Sequence, residues 1–429
     1  MVYLVEQPVQ MYPSLPVANI ILILLIVLVG IDCREKDGPS HFMKGEIDTF
    51  QFNPGSSVPF LHATKDRLYI SWIQSYNDKD SLYVAIYENQ QWTNPRPIAN
   101  GTDWFVNWAD FPAIQSFSGI YKEYLVATWL VKSDTAKFSY DIFYSVSPDL
   151  GLNWISPQLL NEDALDAEHG FVSMDLISDS IVYITWLDGR KTASPLSTDH
   201  HSHNGEMTLR GAKIDVSGLK DEERELDSRV CDCCQTSVTV TDLGPLIAYR
   251  DRSLEETRDI ALVAINKQGS ISTQIPNADQ WKISGCPVNG PALISRKKDV
   301  VYAWYTAPDN LARCKISFSK DGGLTFGNAI RFDEGNALGR IDLCWLEGTE
   351  GLVSWMEKND DQTATLSMKK FTPDGTISPV KWTVAVPAYR QSGFPKIDYF
   401  EGNVFSVWTD SLGTRPCVKM TAIPLNNFD

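Results

Sequence analysis

Long amphipathic helical patterns are scarce in this chain, and no apolar stretch reaches the length of a membrane span. The run Ile20–Ile31 holds a dozen residues, against the roughly 20 that a spanning helix needs. Positive charge is also in short supply. Lys and Arg number 38 against 54 Asp and Glu, a formal net charge of −16. That balance excludes nucleic acid as a partner, because nucleic acid selects basic surfaces. What the 429 residues do hold is 43% hydrophobic side chains, with 13 Trp and 16 Tyr. These fall in short alternating runs broken by Gly, Asp, Asn and Pro, the pattern of strands and turns. The chain reads as all-β.

The run Ile20–Ile31 has the length of a signal-peptide h-region, and Cys33 follows directly after Asp32. Residues 1–33 therefore read as an export signal closed by Cys33 as a lipid-attachment cysteine, or as a plain membrane anchor. Asp32 stands where a small residue is expected, and no Lys or Arg precedes the run. Residues 34–46 are a polar linker, and residues 47–429 carry the fold. The expected location is outside the cytoplasm and membrane-anchored, as a periplasmic or cell-surface lipoprotein.

From residue 47 onward the chain repeats. A β-rich run ending in an aromatic recurs at Trp72, Trp129, Trp186, Tyr249, Trp304, Trp355 and Trp408, at steps of 57, 57, 63, 55, 51 and 53 residues. Each is flanked by two more short runs, such as Gly290–Arg296 before Trp304 and Cys314–Ser319 after it. Periods near 50 with several strands each indicate a propeller. Seven copies predict a seven-bladed β-propeller of four-stranded blades. The seventh copy stops after Cys417–Ile423, and Ile47–Phe52 is expected to supply its outermost strand and close the ring.

One hairpin recurs in register. Ser319-Lys320-Asp321-Gly322-Gly323-Leu324-Thr325-Phe326 matches Ser147-Pro148-Asp149-Leu150-Gly151-Leu152-Asn153-Trp154, with weaker forms at 266–271 and 372–377. In each, the aspartate can bond its own backbone and glycine supplies positive φ. At these residues the chain resembles the sialidase-like, Asp-box (BNR-repeat) β-propeller superfamily, over roughly residues 45–424. Within it the pattern resembles exported bacterial proteins labelled exo-α-sialidase by fold. The family norm is six blades, the alternative architecture to seven.

The resemblance implies structural roles for Asp149 and Asp321, and a glycosidase acting on sialic acid or related acidic glycans. Such an enzyme grips the substrate carboxylate with arginines, here Arg190, Arg258 and Arg340, since guanidinium groups bind carboxylates bidentately. Asp110 is the candidate acid and Tyr389 the candidate nucleophile. Two positions depart from the family. Ser56 and Ser57 occupy the place of its entry arginine, and Phe394 falls where the tyrosine is sought.

The unusual residues concentrate in two loop classes of one predicted face, the segments between copies and those following the Trp-ended runs. There lie Cys231, Cys233, Cys234 and Cys286, with His169, His200, His201 and His203 in neighbouring loops. Thiolates and imidazoles suit Zn or Cu, so a non-catalytic propeller holding a metal or an anionic saccharide is the second functional reading. Disulfides are the third account of the same cysteines, expected in an oxidising compartment. Cys314, Cys344 and Cys417 fall inside predicted strands and read as core thiols.

Overall fold

The computed structural model describes residues 50–118, 122–136, 138–193 and 205–429. The signal or anchor segment with Cys33, the linker, residues 47–49 and the loop histidines His200, His201 and His203 lie outside the described residues. The propeller lies within the unit His41–Asp429.

Seven antiparallel sheets follow one another along the chain, each built of strands paired in sequence order. Their inner strands are Ser56–Ala63, Ala113–Ser118, His169–Ser178, Ser237–Thr241, Ala292–Arg296, Ala337–Trp345 and Lys396–Phe400. The second strand of each carries the repeated aromatic, as in Ile181–Asp188 and Asp299–Thr306. Six of those seven aromatics, Trp72 to Trp355, are no more than 4% exposed. Among the described residues the helical content is three short 3₁₀ turns. The protein is a seven-bladed β-propeller of four-stranded antiparallel blades.

Closure is visible in the core. Seven hydrophobic clusters each join a pair of consecutive blades, and the last joins blade seven to blade one through Phe400, Phe405 and Val407 against Leu68, Ile70 and Trp72. Because no sheet can bury both faces alone, the ring is what makes each sheet stable. Two edges differ from the sequence expectation. In blade one the outer edge is broken into Gln91–Trp92 and Arg96–Gly101, both paired with Lys79–Glu88. In blade seven the described sheet has three strands. Phe50 to Asn53 form no strand there; the Phe50 and Phe52 rings instead pack 5.2 Å from Trp72. Gly55 N–H donates to Pro416 C=O at 2.7 Å. Two phenylalanine side chains gain more by filling the seam between the first and last blades than by extending a solvent-exposed sheet edge.

The two Asp hairpins fold as their residues dictate. Asp321 accepts from the Thr325 N–H at 2.9 Å and hydroxyl at 2.6 Å, while Ser319 Oγ accepts from Gly323 N–H at 3.0 Å. Asp149 does the same with Asn153, at 2.7 Å to both its N–H and its Nδ2. Gly323 has φ of +90°, and its Cα sits against Leu246 of the preceding blade, where a Cβ would meet a methyl at 2.6 Å. Gly322 N–H donates to Lys298 C=O, in the turn between the first two strands of blade five. These hairpins therefore lie at the end of the ring opposite the segments that connect the blades.

Candidate functional site

The connecting segments are tied to one another around the channel mouth. Gln235 donates from Nε2 to Ala109 C=O at 2.5 Å and accepts from Gly290 N–H at 2.9 Å. Asn289 Oδ1 accepts from Arg340 N–H at 2.8 Å. Residues far apart in sequence become neighbours because inner strands converge on the axis. Below the mouth is a cavity of about 150 Å³, lined by Asp110, Phe171, Gln235, Asp342, Phe394 and Lys396 among others.

At one side of this mouth the Tyr140 hydroxyl lies 3.1 Å from Asp110 Oδ2 and 2.9 Å from Glu168 Oε1. A phenol has one proton to donate, so the second contact requires a proton on a carboxyl. Burial raises Asp110 to about 7, against the bonds from Phe171 N–H and Tyr140. Burial raises Glu168 to about 8, and the charges of Asp110, Asp232 and Cys286 add to it against the Tyr140 bond. Burial and the two carboxylates push Tyr140 well above an ordinary phenol. Tyr140 is 1% exposed and stacks on Phe105 at 4.0 Å, whereas Glu168 is half-buried and reaches the mouth. Gly170 permits the arrangement, because a Cβ there would lie 1.8 Å from Asp110 Oδ2. The pieces are thus a buried proton store and one accessible carboxyl.

The arginines expected to form a cluster are each engaged separately. Arg190 is paired with Asp188 at 2.6 Å, Asp163 at 3.2 Å and Glu223 at 3.0 Å. Arg258 is paired with Glu256 at 2.8 Å and donates to Cys231 Sγ at 3.2 Å. Arg340 is buried, donating to the carbonyls of Gly393 at 2.9 Å and Tyr389 at 3.0 Å, with its guanidinium 5.3 Å from the Trp108 ring centroid. Desolvation, with the Arg390 charge, lowers it to about 10. Tyr389 lends that carbonyl and caps the turn Arg390–Ser392. Phe394 stacks on Trp108 at 6.0 Å. Ser56 accepts from Val418 N–H at 2.9 Å, a structural role at the seam between blades seven and one.

Three of the four candidate cysteines meet directly, as Cys231 Sγ lies 3.5 Å from Cys234 Sγ and 4.0 Å from Cys233 Sγ. Cys286 is exposed and its thiol interacts with Cys233. The seven described cysteines carry no disulfide. Bonds from Cys233 and Cys234, aided by Arg258, lower the Cys231 thiol against its burial, while burial raises Cys234. Cys314, Cys344 and Cys417 are buried in strands, as expected. His169 sits apart from the thiols. Its ring lies 2.9 Å from Asp163 and 3.2 Å from Tyr140 C=O, and against its burial the Asp163 and Asp188 carboxylates raise its pKa.

Of the mouth residues, Glu168, Arg250 and Asn289 fall in the loops that sequence reasoning placed on this face without giving them a role, and Tyr140 was not reached by it. Glu168 was readable from its place between copies two and three. Tyr140 opens the third strand of blade two, and nothing in sequence marks which tyrosine of that kind reaches the connecting segments.

No family model matches the chain, and no curated protein does. Among solved structures it is similar to a polysaccharide lyase, an ulvan lyase, with a TM-score of 0.53 and 11% identity over 87% of this chain and 93% of that one. The ulvan lyase bound to -[GlcA(1-4)Rha3S]- gives 0.51 and 10% over 87% and 94%. The NanB sialidase K499G mutant from Streptococcus pneumoniae gives 0.44 and 10% over 90% and 70%. This likeness is one of fold: a β-propeller architecture shared with glycan-acting proteins.

Proposed function

We propose that the protein is a glycan-acting, sialidase-like propeller, exported and held at the membrane by its N-terminal segment, with Glu168 as the proton donor at the channel mouth. The observation that carries this reading is the Tyr140 hydroxyl shared between Asp110 and Glu168. Glycoside cleavage needs a carboxyl that still holds its proton near neutrality, and burial is the usual way to provide one. Glu168 is the member of the group that a ligand can reach. It gives its proton to the departing glycosidic oxygen, water adds to the anomeric carbon in its place, and the proton this water releases restores Glu168, while Tyr140 and Asp110 fix its orientation. The substrate class is an acidic saccharide, such as a sialoside.

Cleavage of a panel of chromogenic glycosides, sialosides included, tests this. Wild type should turn over at least one member, and Glu168→Gln should lose roughly 100-fold or more in kcat, the scale of general-acid catalysis. Equal rates for the variant, or no turnover across the panel, would contradict the reading.

A further inference from the structure

We propose that Cys231, Cys233, Cys234 and Cys286 form a tetrathiolate site for Zn²⁺ at the channel mouth. The donors come from two connecting segments, before blades four and five, that the ring brings together. The spacing of the sulfurs is the first argument. The separations of 3.5 and 4.0 Å from Cys231 Sγ to its two neighbours bracket the edge of about 3.8 Å for a tetrahedron with Zn–S bonds of about 2.3 Å. A disulfide needs about 2.0 Å. The Sγ atoms of Cys231, Cys233 and Cys234 all lie within 4.8 Å of one another, and Cys286 approaches Cys233 from the second segment.

The second argument is charge. Arg250 is 2% exposed, and among the described residues its guanidinium meets only carbonyls, those of Asn289, Arg258 and Tyr305, and the face of Trp281. A buried cation is costly without an anion nearby. Thiolates held by a metal supply that anion, and Arg258 Nη1 donates directly to Cys231 Sγ at 3.2 Å. Such N–H···S contacts orient and stabilise metal-bound thiolates. The backbone is fixed as well, since Cys231 N–H donates to Arg250 C=O at 3.0 Å.

The third argument is access. Cys231 and Cys234 are each 1% exposed, whereas Cys286 is exposed. The site is closed on its inner side and open where Cys286 stands, so an ion enters there and Cys286 completes the shell. All-sulfur donors select against Mg²⁺ and Ca²⁺, and three sulfurs within 4.8 Å of one another, with Cys286 beside Cys233 to supply the fourth, favour Zn²⁺. This proposal does not depend on the glycan reading, and either can fail without the other.

The test uses the full chain, reduced and stripped of metal under anaerobic conditions, titrated with Co²⁺ and then with Zn²⁺. Thiolate-to-cobalt charge-transfer bands should grow in, be abolished by Zn²⁺, and be accompanied by proton release and a higher unfolding temperature. Cys286→Ser lies on an exposed loop and should fold, yet bind about tenfold or more weakly. Cys314→Ala, in the core of blade five, should bind as wild type. Disulfide-blocked thiols and no metal in the chain as purified without reductant, or cobalt bands lacking sulfur character, would overturn the site. Unchanged affinity in Cys286→Ser would overturn the four-ligand set. Binding of Cu⁺ with refusal of Zn²⁺ would overturn the choice of ion.

Discussion

At the scale of single residues, the mouth is governed by protons held against solvent. Asp110 and Glu168 have folded values of about 7 and about 8, above the ordinary carboxyl values near 4. The folded state therefore binds more protons than the unfolded chain across that interval. Stability should be fully present below about 4, fall as pH rises through about 7 to 8, and level off above. Unfolding measured from pH 4 to 9 should show this decline, and Asp110→Asn should flatten it. An unchanged slope would place the protons elsewhere. Gly170→Ala gives a steric check. Its Cβ would press on Asp110 Oδ2 at 1.8 Å, and a loss of roughly 1–3 kcal/mol is expected. Sequence alone gave Asp110 and the neighbourhood of Glu168. It could not give Tyr140, because its role depends on an approach across two blades, nor the carbonyl partners that occupy Arg250 and Arg340.

At the scale of elements, the Asp hairpins were the most legible feature. Asp321, with Thr325 and Ser319 bonding it, is held at about 2 despite its slight burial, below the ordinary value near 3.9. Its contribution is present above the unfolded value and is lost as pH falls through about 2. Asp321→Ala should cost roughly 0.5–3 kcal/mol in denaturant unfolding near neutral pH. Glycan turnover and metal affinity should stay as in wild type, since this hairpin lies away from the mouth. A folded Asp321→Ala protein that lost either activity would mean that the faces are assigned wrongly. The expected outer strand from Ile47–Phe52 was less legible. A sequence of alternating apolar residues fits a strand or a seam filler equally well, and the choice depends on the depth of the groove beside Trp72 and Trp92.

At the scale of the whole molecule, the blade count followed directly from the spacing of seven buried aromatics, because a repeat that cannot stand alone must be counted as often as it occurs. The position of the mouth followed from the same topology, as connecting segments must converge where inner strands meet. Partner choice among charged side chains did not follow, being settled by packing distances of a few ångströms. The proposal of export rests on the N-terminal segment. Cells making wild type and Cys33→Ala should both send the protein out of the cytoplasm, with acylation only in wild type. Soluble cytoplasmic protein in both cases would contradict export.

The central claim is that Glu168 acts as a proton donor at the channel mouth. It is tested most directly by the pH dependence of kcat/KM on a cleaved glycoside. The account predicts that activity falls as pH rises through about 8, where Glu168 gives up its proton, and that Glu168→Gln abolishes this limb along with most of the rate. A basic limb that persists unaltered in the variant, at undiminished rate, would contradict it.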